Sequence, residues 1–342
     1  MNGRRRGAIE GGAEGAPLSS HRKQAFERGA GGAPLLAATQ TGSAPASWHR
    51  SAPLRHRSIA RRKAVDATVK VLSWIGASVG IAVMAFIVYE VVRRGWAAWS
   101  VAFFTQPTPQ DVTSTAGGFA NAIVGTIVIT VVAALIAIPT GFLGGVYLAE
   151  FGRTGRLATA VRMIANVVMG VPSIIVGVFA FAILVKPLQH YSGFAGSVAL
   201  AFIMLPVMAR TTEDILNLVP NELRESGLAM GAPRWKVTLG VVCKAARGGL
   251  ITGASLAVVR VAGETAPLLF TALSSPYWMT GLFGPGGFFG GPVANLTKTI
   301  YDFSGSPYPQ WQTLAWGGAL LIIVAVLGMN ILVRLIFQRG KK

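Results

Sequence analysis

The sequence predicts an all-α polytopic membrane protein: six transmembrane helices behind a disordered N-terminal tail. Three observations predict it. Of 342 residues, 52% are hydrophobic and only 13% charged, and the mean hydropathy is +0.54, too apolar for a water-soluble chain of this length. Apolar runs long enough to cross a bilayer recur along the chain. The basic residues, which give a net charge of +18, collect in alternate intervening segments rather than spreading evenly. One cysteine, Cys243, excludes an intrachain disulfide framework, and four histidines, all outside the apolar runs, argue against a metal centre.

Residues 1–65 are rich in Gly, Ala, Ser, Pro and Arg and lack hydrophobic periodicity, which predicts a disordered basic tail rather than a nucleic-acid-binding domain. Residues 66–342 form the membrane domain, with spans at about 71–92, 120–148, 163–185, 194–210, 249–272 and 313–337. The first is long enough to stay in the bilayer rather than be cleaved as a signal peptide. Pro139 and Gly141 suggest a kink or an interfacial end in the long second, and Pro206 to Arg210 closes the short fourth. About thirteen Lys and Arg precede the first span, and further basic groups fill 153–162, 211–248 and the C-terminal end. The other side holds only Arg93, Arg94, Lys186 and Lys298, so both termini are expected in the cytoplasm. The outer segments 93–119, 186–193 and 273–312 read as irregular surface. The last carries Tyr277, Trp278, Tyr301, Tyr308 and Trp311, suited to the headgroup belt or to an external partner, and Gly284 to Gly291, which lacks the G-K-[ST] of a phosphate loop.

The cytoplasmic segment 211–248 is more organised than a solvent-facing loop requires. Pro220 preorganises a helix start, Glu222 and Glu225 favour its positive end, and Gly231 supplies a left-handed stop. Pro233 then restarts a second helix containing Trp235, Val237, Leu239 and Val241. The expectation is a helix, a sharp turn and a second helix lying at the membrane surface.

Within the fifth span stand Arg260 and Glu264. At a spacing of four they share a face of a continuous helix, about 6 Å apart along its axis. An ionisable group at that depth costs roughly 3 kcal/mol or more, so both must face protein or water. Pro267 cannot donate to the carbonyl of Gly263, and broken backbone beside an intramembrane charge lines a cavity or pathway. A permanently charged guanidinium suits an oxyanion. Glu264 either orients it or balances its charge.

Two sets of motifs carry a resemblance. Glu225-Ser226-Gly227, with Gly231 six residues after the glutamate, is similar to the E-A-A-x-x-x-G loop of ATP-binding-cassette importer permeases. Ser226 and Gly227 replace the alanines, and Val241, Cys243 and Lys244 replace a closing I-x-L-P. Arg260 to Leu273 resembles the R-x-x-G-E-T-A-P-L-L-F-T-A segment of the PstA family of phosphate importer permeases; Gly170 to Gly177 and Tyr147 to Phe151 resemble its G-x-P-S-x-x-x-G and Y-L-A-E-[YF]. The resemblance covers roughly residues 70–340 and extends through Ala294-Asn295-Leu296 and Trp311 to Trp316.

It implies a type I importer permease core in a bacterial inner membrane, paired with a PstC-like sister permease on a PstB-like ATPase dimer and fed by a PstS-like external phosphate-binding protein. It also implies a substrate pathway through Arg260, Glu264, Thr265, Pro267 and Ser173, and ATPase coupling through Glu225, Ser226, Gly227 and Gly231. No G-x-x-x-x-G-K-[ST] occurs in the chain, as expected where ATP is hydrolysed on a separate subunit. Readings left open are a permease for another oxyanion such as sulfate or molybdate, and an ion-coupled secondary transporter with Glu264 as proton relay. A membrane enzyme is disfavoured, because no His, Cys or carboxylate cluster converges on the spans.

Overall fold

The structure is a computed structural model that describes residues 59–111, 117–153 and 155–338. Of the expected tail, residues 1–58 lie outside the described residues. Residues 59–65 are helical: α1 (Ile59–Gly95) starts before the span does, where Ala, Arg and Lys favour helix and Asp66 pairs with Lys70 at 2.7 Å. Residues 71–342 make one unit.

After α1 come a short turn and α2 (Val101–Thr105), then α3 (Ala120–Val146), which is unbroken through Pro139 and ends in a wide helical turn, Tyr147–Phe151. α4 (Arg156–Gly170) and α5 (Ser173–Ala180) follow, with a wide turn at Phe181–Val185 and α6 (Lys186–Leu188). Next are α7 (Gly193–Asn217), α8 (Asn221–Ala229), α9 (Arg234–Val237), a third wide turn at Thr238–Val242, α10 (Cys243–Ala262) and α11 (Ala266–Thr271). α12 (Leu296–Ser304) and α13 (Pro309–Gln338) complete the described chain, which contains no strand.

Among the described residues five helices are long and apolar enough to cross a membrane, and the bent pair α4 and α5–α6 makes up to six. The third span is not continuous, because the chain bends by 103° between Gly170 and Ser173. Pro172 drives Val171 to extended backbone (ψ 132°) and then caps α5. The fourth runs seven residues past Arg210: Glu213, which would end it in lipid, is buried between Arg162 (2.6 Å) and Arg210 (2.5 Å). The second arm of the 211–248 segment is not a separate surface helix. It continues through the turn at Thr238–Val242 into α10, so one helical stretch covers Arg234–Ala262.

α3 packs along α7, and small residues let the backbones close. A methyl on Gly145 would lie 2.5 Å from the Ala209 carbonyl oxygen and from Thr212 Cβ. Three apolar clusters follow one another along α3. The first joins Ala122 to Phe103, Phe119, Leu296, Phe303 and Ala315; the second joins Ile129, Ala133 and Ala137 to Leu200, Met204, Ala257 and Val261; the third joins Val146 and Ala149 to Leu216, Val242 and Leu250. The segment 273–312 is therefore not merely irregular surface. α12 belongs to the first cluster, Phe303 stacks on Trp311 at 4.8 Å, and buried Asn295 caps α12 through Lys298 N–H while donating to Leu273 O at 2.7 Å.

Candidate functional site

Two helices break at the same place. α10 stops at Ala262, Gly263 caps it near φ −92° and ψ 0°, and α11 begins with Pro267 in its first turn. Across from it lies the break between α4 and α5. The two short helices beyond the breaks touch: a methyl on Gly177 would sit 2.8 Å from Pro267 Cα, so that glycine is what lets α5 and α11 meet. Between the breaks is a cavity of about 150 Å³ lined by Val168, Met169, Val171, Ser173, Ile203, Val207, Arg260 and Glu264.

Three of the five expected pathway residues, Arg260, Glu264 and Ser173, thus line one cavity. The other two frame it: Thr265 caps α11, its carbonyl accepting from Leu269 N–H at 3.1 Å, and Pro267 is buried against α5. The shared helical face expected for Arg260 and Glu264 does not exist, because the helix ends between them. Glu264 N–H turns back to Val261 O at 3.0 Å, and Glu264 O accepts from Thr297 Oγ1 at 3.1 Å. Among the described residues neither side chain enters an ion pair. The walls of the cavity therefore present a guanidinium, a hydroxyl at the start of α5 and a carboxylate. That set can hold an oxyanion, with the carboxylate accepting from an anion that itself carries a proton.

At the other end of α7 the turn between α8 and α9 has the expected stop, with Gly231 at φ +79°. Glu225 and Ser226 are exposed, as is Met230 at 87% of its surface. Gly227 has a packing role instead: a methyl there would lie 2.8 Å from Val237 Cγ1, so it seats α8 on α9. Sequence reasoning missed Arg224 and Glu150. Both are buried, and they pair at 2.8 Å between α8 and the end of α3. The available signal was a lone carboxylate at the end of an apolar run, inside the Tyr147–Phe151 motif.

The family described as "Binding-protein-dependent transport system inner membrane component" matches residues 141–342. The chain is 42% identical over 287 residues to the phosphate transport system permease protein PstA of Yersinia pestis, covering 84% of this chain and 95% of that one. It is 41% identical to PstA of Haemophilus influenzae over 79% of this chain and 93% of that one, and 33% identical to PstA 1 of Mycobacterium tuberculosis H37Rv over 82% and 91%. Among solved structures, a chain of the inward-facing MetNI methionine ABC transporter superposes with a TM-score of 0.53 at 21% identity, covering 65% of this chain and 95% of that one; this likeness is one of fold. A multi-pass inner-membrane transport subunit rather than an enzyme, the chain belongs to the binding-protein-dependent transport permeases and, within them, to the PstA family.

Proposed function

We propose that this chain is the permease subunit of an ATP-driven importer of inorganic phosphate, forming the translocation path with a PstC-like sister permease. A PstB-like ATPase dimer drives it through α8, and a PstS-like external protein delivers the anion. Both termini are cytoplasmic, which puts α8 on the ATPase side. The observation that carries the reading is the convergence of Arg260, Glu264 and Ser173 on one cavity at the breaks of two helices. Arg260 meets the anion in transit. Glu264 accepts a hydrogen bond from an oxyanion that keeps a proton at neutral pH, as phosphate does and sulfate does not, and it offsets the guanidinium so that the anion is not trapped. ATP closing the ATPase dimer displaces α8, through exposed Glu225 and Ser226 and the Gly231 turn, and rocks the helices between outward and inward openings.

The test is uptake of radiolabelled phosphate by cells that depend on this chain, with ATP depleted while the proton gradient is held and with excess sulfate as competitor. Loss of uptake on ATP depletion with sulfate ineffective is the expected result. Uptake sustained by the gradient alone would replace the reading with a secondary transporter using Glu264 as proton relay, and competition by sulfate would widen it to other oxyanions.

A further inference from the structure

The last turn of α3, Tyr147–Phe151, is wound wide, with Gly152 N–H bonded to Tyr147 O at 2.7 Å. A helix C-terminus leaves carbonyl oxygens without intrahelical donors and carries the negative end of the helix dipole. Here three arginines fill that need and a fourth clamps the carboxylate of the turn. Arg162 of α4 donates to Leu148 O (2.9 Å), Arg153 to Ala149 O (3.0 Å) and Arg234 of α9 to Glu150 O (3.5 Å), while Arg224 of α8 grips the Glu150 carboxylate at 2.8 and 2.9 Å.

Arg224 reaches further. It also donates to Val219 O (2.5 Å) and Leu216 O (2.7 Å) at the end of α7, so one buried guanidinium fastens α8 to both α3 and α7. Arg162 does the same on the other side, binding Glu213 of α7 as well as the turn. From Arg162, α4 runs about 9 Å along its axis to Val168, which lines the anion cavity. Charge-assisted contacts, the backbone of the turn between Leu148 and Glu150, and the length of α4 therefore join α8 to the cavity wall.

We propose that this arginine-clamped turn is the mechanical junction through which displacement of α8 reaches the anion cavity, with Arg224 and Glu150 as positioning residues for transport. The proposal rests on the transport reading above. Removing one partner of a buried pair leaves the other charge uncompensated and destabilises folding, whereas replacing both by apolar side chains of similar volume is close to neutral. The decisive variant is therefore the double substitution Glu150→Met/Arg224→Met, with Arg224→Lys beside it, which keeps the charge and loses the fork.

Each full-length chain is reconstituted in proteoliposomes with its sister permease, ATPase and loaded binding protein, and phosphate uptake and ATP hydrolysis are measured on the same sample. The complexes are expected to assemble and the phosphate moved per ATP to fall about tenfold in the double variant, less in Arg224→Lys. A ratio within about twofold of the parent in the double variant overturns the junction, because the contacts would then carry no coupling. Failure of both variants to assemble overturns it too, by making the pair a folding element. Failure of the transport reading is distinct: it shows as ATP-independent uptake in the parent complex, and the proposal falls with it.

Discussion

A guanidinium beside an interrupted helix, as Arg260 is, keeps its charge available when no carboxylate is clamped to it. Arg260→Gln is shorter but keeps a polar amide and some hydrogen bonding while removing the charge, so phosphate uptake is expected to fall by at least about a hundredfold with assembly intact, a loss of roughly 3 kcal/mol of anion stabilisation. Uptake near the parental rate, measured with radiolabelled phosphate against normal membrane levels of the chain, would remove Arg260 from the path. A different residue tests the packing of α3 on α7. Gly145→Val forces side-chain carbons against the Ala209 carbonyl and Thr212, and overpacking of this kind costs about 1–3 kcal/mol. A lowered unfolding midpoint in detergent is expected, whereas an unchanged one would mean that α3 and α7 can separate freely. At this scale residue types were legible and their geometry was not. An ionisable pair in an apolar run announces a site, but a spacing of four assumes a helix that in fact ends at Ala262. Three of the five expected pathway residues line the cavity, because a break is needed there and proline and glycine create it.

The turn between α8 and α9 depends on backbone rather than on space. Nothing lies within 4 Å of a side chain placed on Gly231, yet its φ of +79° is one that a β-branched residue adopts only under strain of about 1–2 kcal/mol. Gly231→Asn is therefore expected to retain most ATPase co-purification and Gly231→Val to lose it. Equal behaviour of the two would show that the turn tolerates reshaping. Signals confined to a few neighbouring residues, such as Pro220, Gly231 and Pro233, announced this element correctly. What they could not announce is that α9 runs on into α10, since that depends on Val242 and Ala246 packing against α3 and α7. The same limit hid the end of α7, where buried Glu213 is held not only by Arg210 on its own helix but by Arg162, which arrives from another helix 51 positions earlier.

The apolar core of α1 has no buried residue, and Trp74, Ile81 and Phe86 are exposed at 75%, 71% and 67%; only its far end packs, with Arg94 over Trp316 at 5.0 Å. Surface of this kind is stable only in a bilayer or against another helix, which agrees with a multi-pass membrane subunit. Orientation can be read directly because Cys243 is the only cysteine. In a Cys243→Ser background, Phe283→Cys, 78% exposed, is expected to react with a membrane-impermeant maleimide in intact cells; Met230→Cys, 87% exposed, should do so only after permeabilisation. The opposite pattern would invert the topology and put α8 out of reach of a cytoplasmic engine. Hydropathy windows made the apolar segments legible, five of them single helices among the described residues and the sixth the bent pair α4 and α5–α6. They could not reveal that one of them turns by 103° midway, because a windowed average does not register which peptide groups lose their partners.

That bend also predicts where solvent enters. Ile175 N–H is held by Pro172 O at 2.9 Å, but the Ser173 and Ile174 amides at the start of α5 have no acceptor one turn back and lie inside the membrane domain, where an unsatisfied amide costs several kcal/mol, so water must reach these two whenever no anion does. Hydrogen–deuterium exchange of the chain in lipid nanodiscs should accordingly be fast for the Ser173 and Ile174 amides and slow for residues 129–137 of α3, and phosphate supplied to the assembled importer should slow only the first. Deuterium would then mark the wet level of the barrier without any label on the solute.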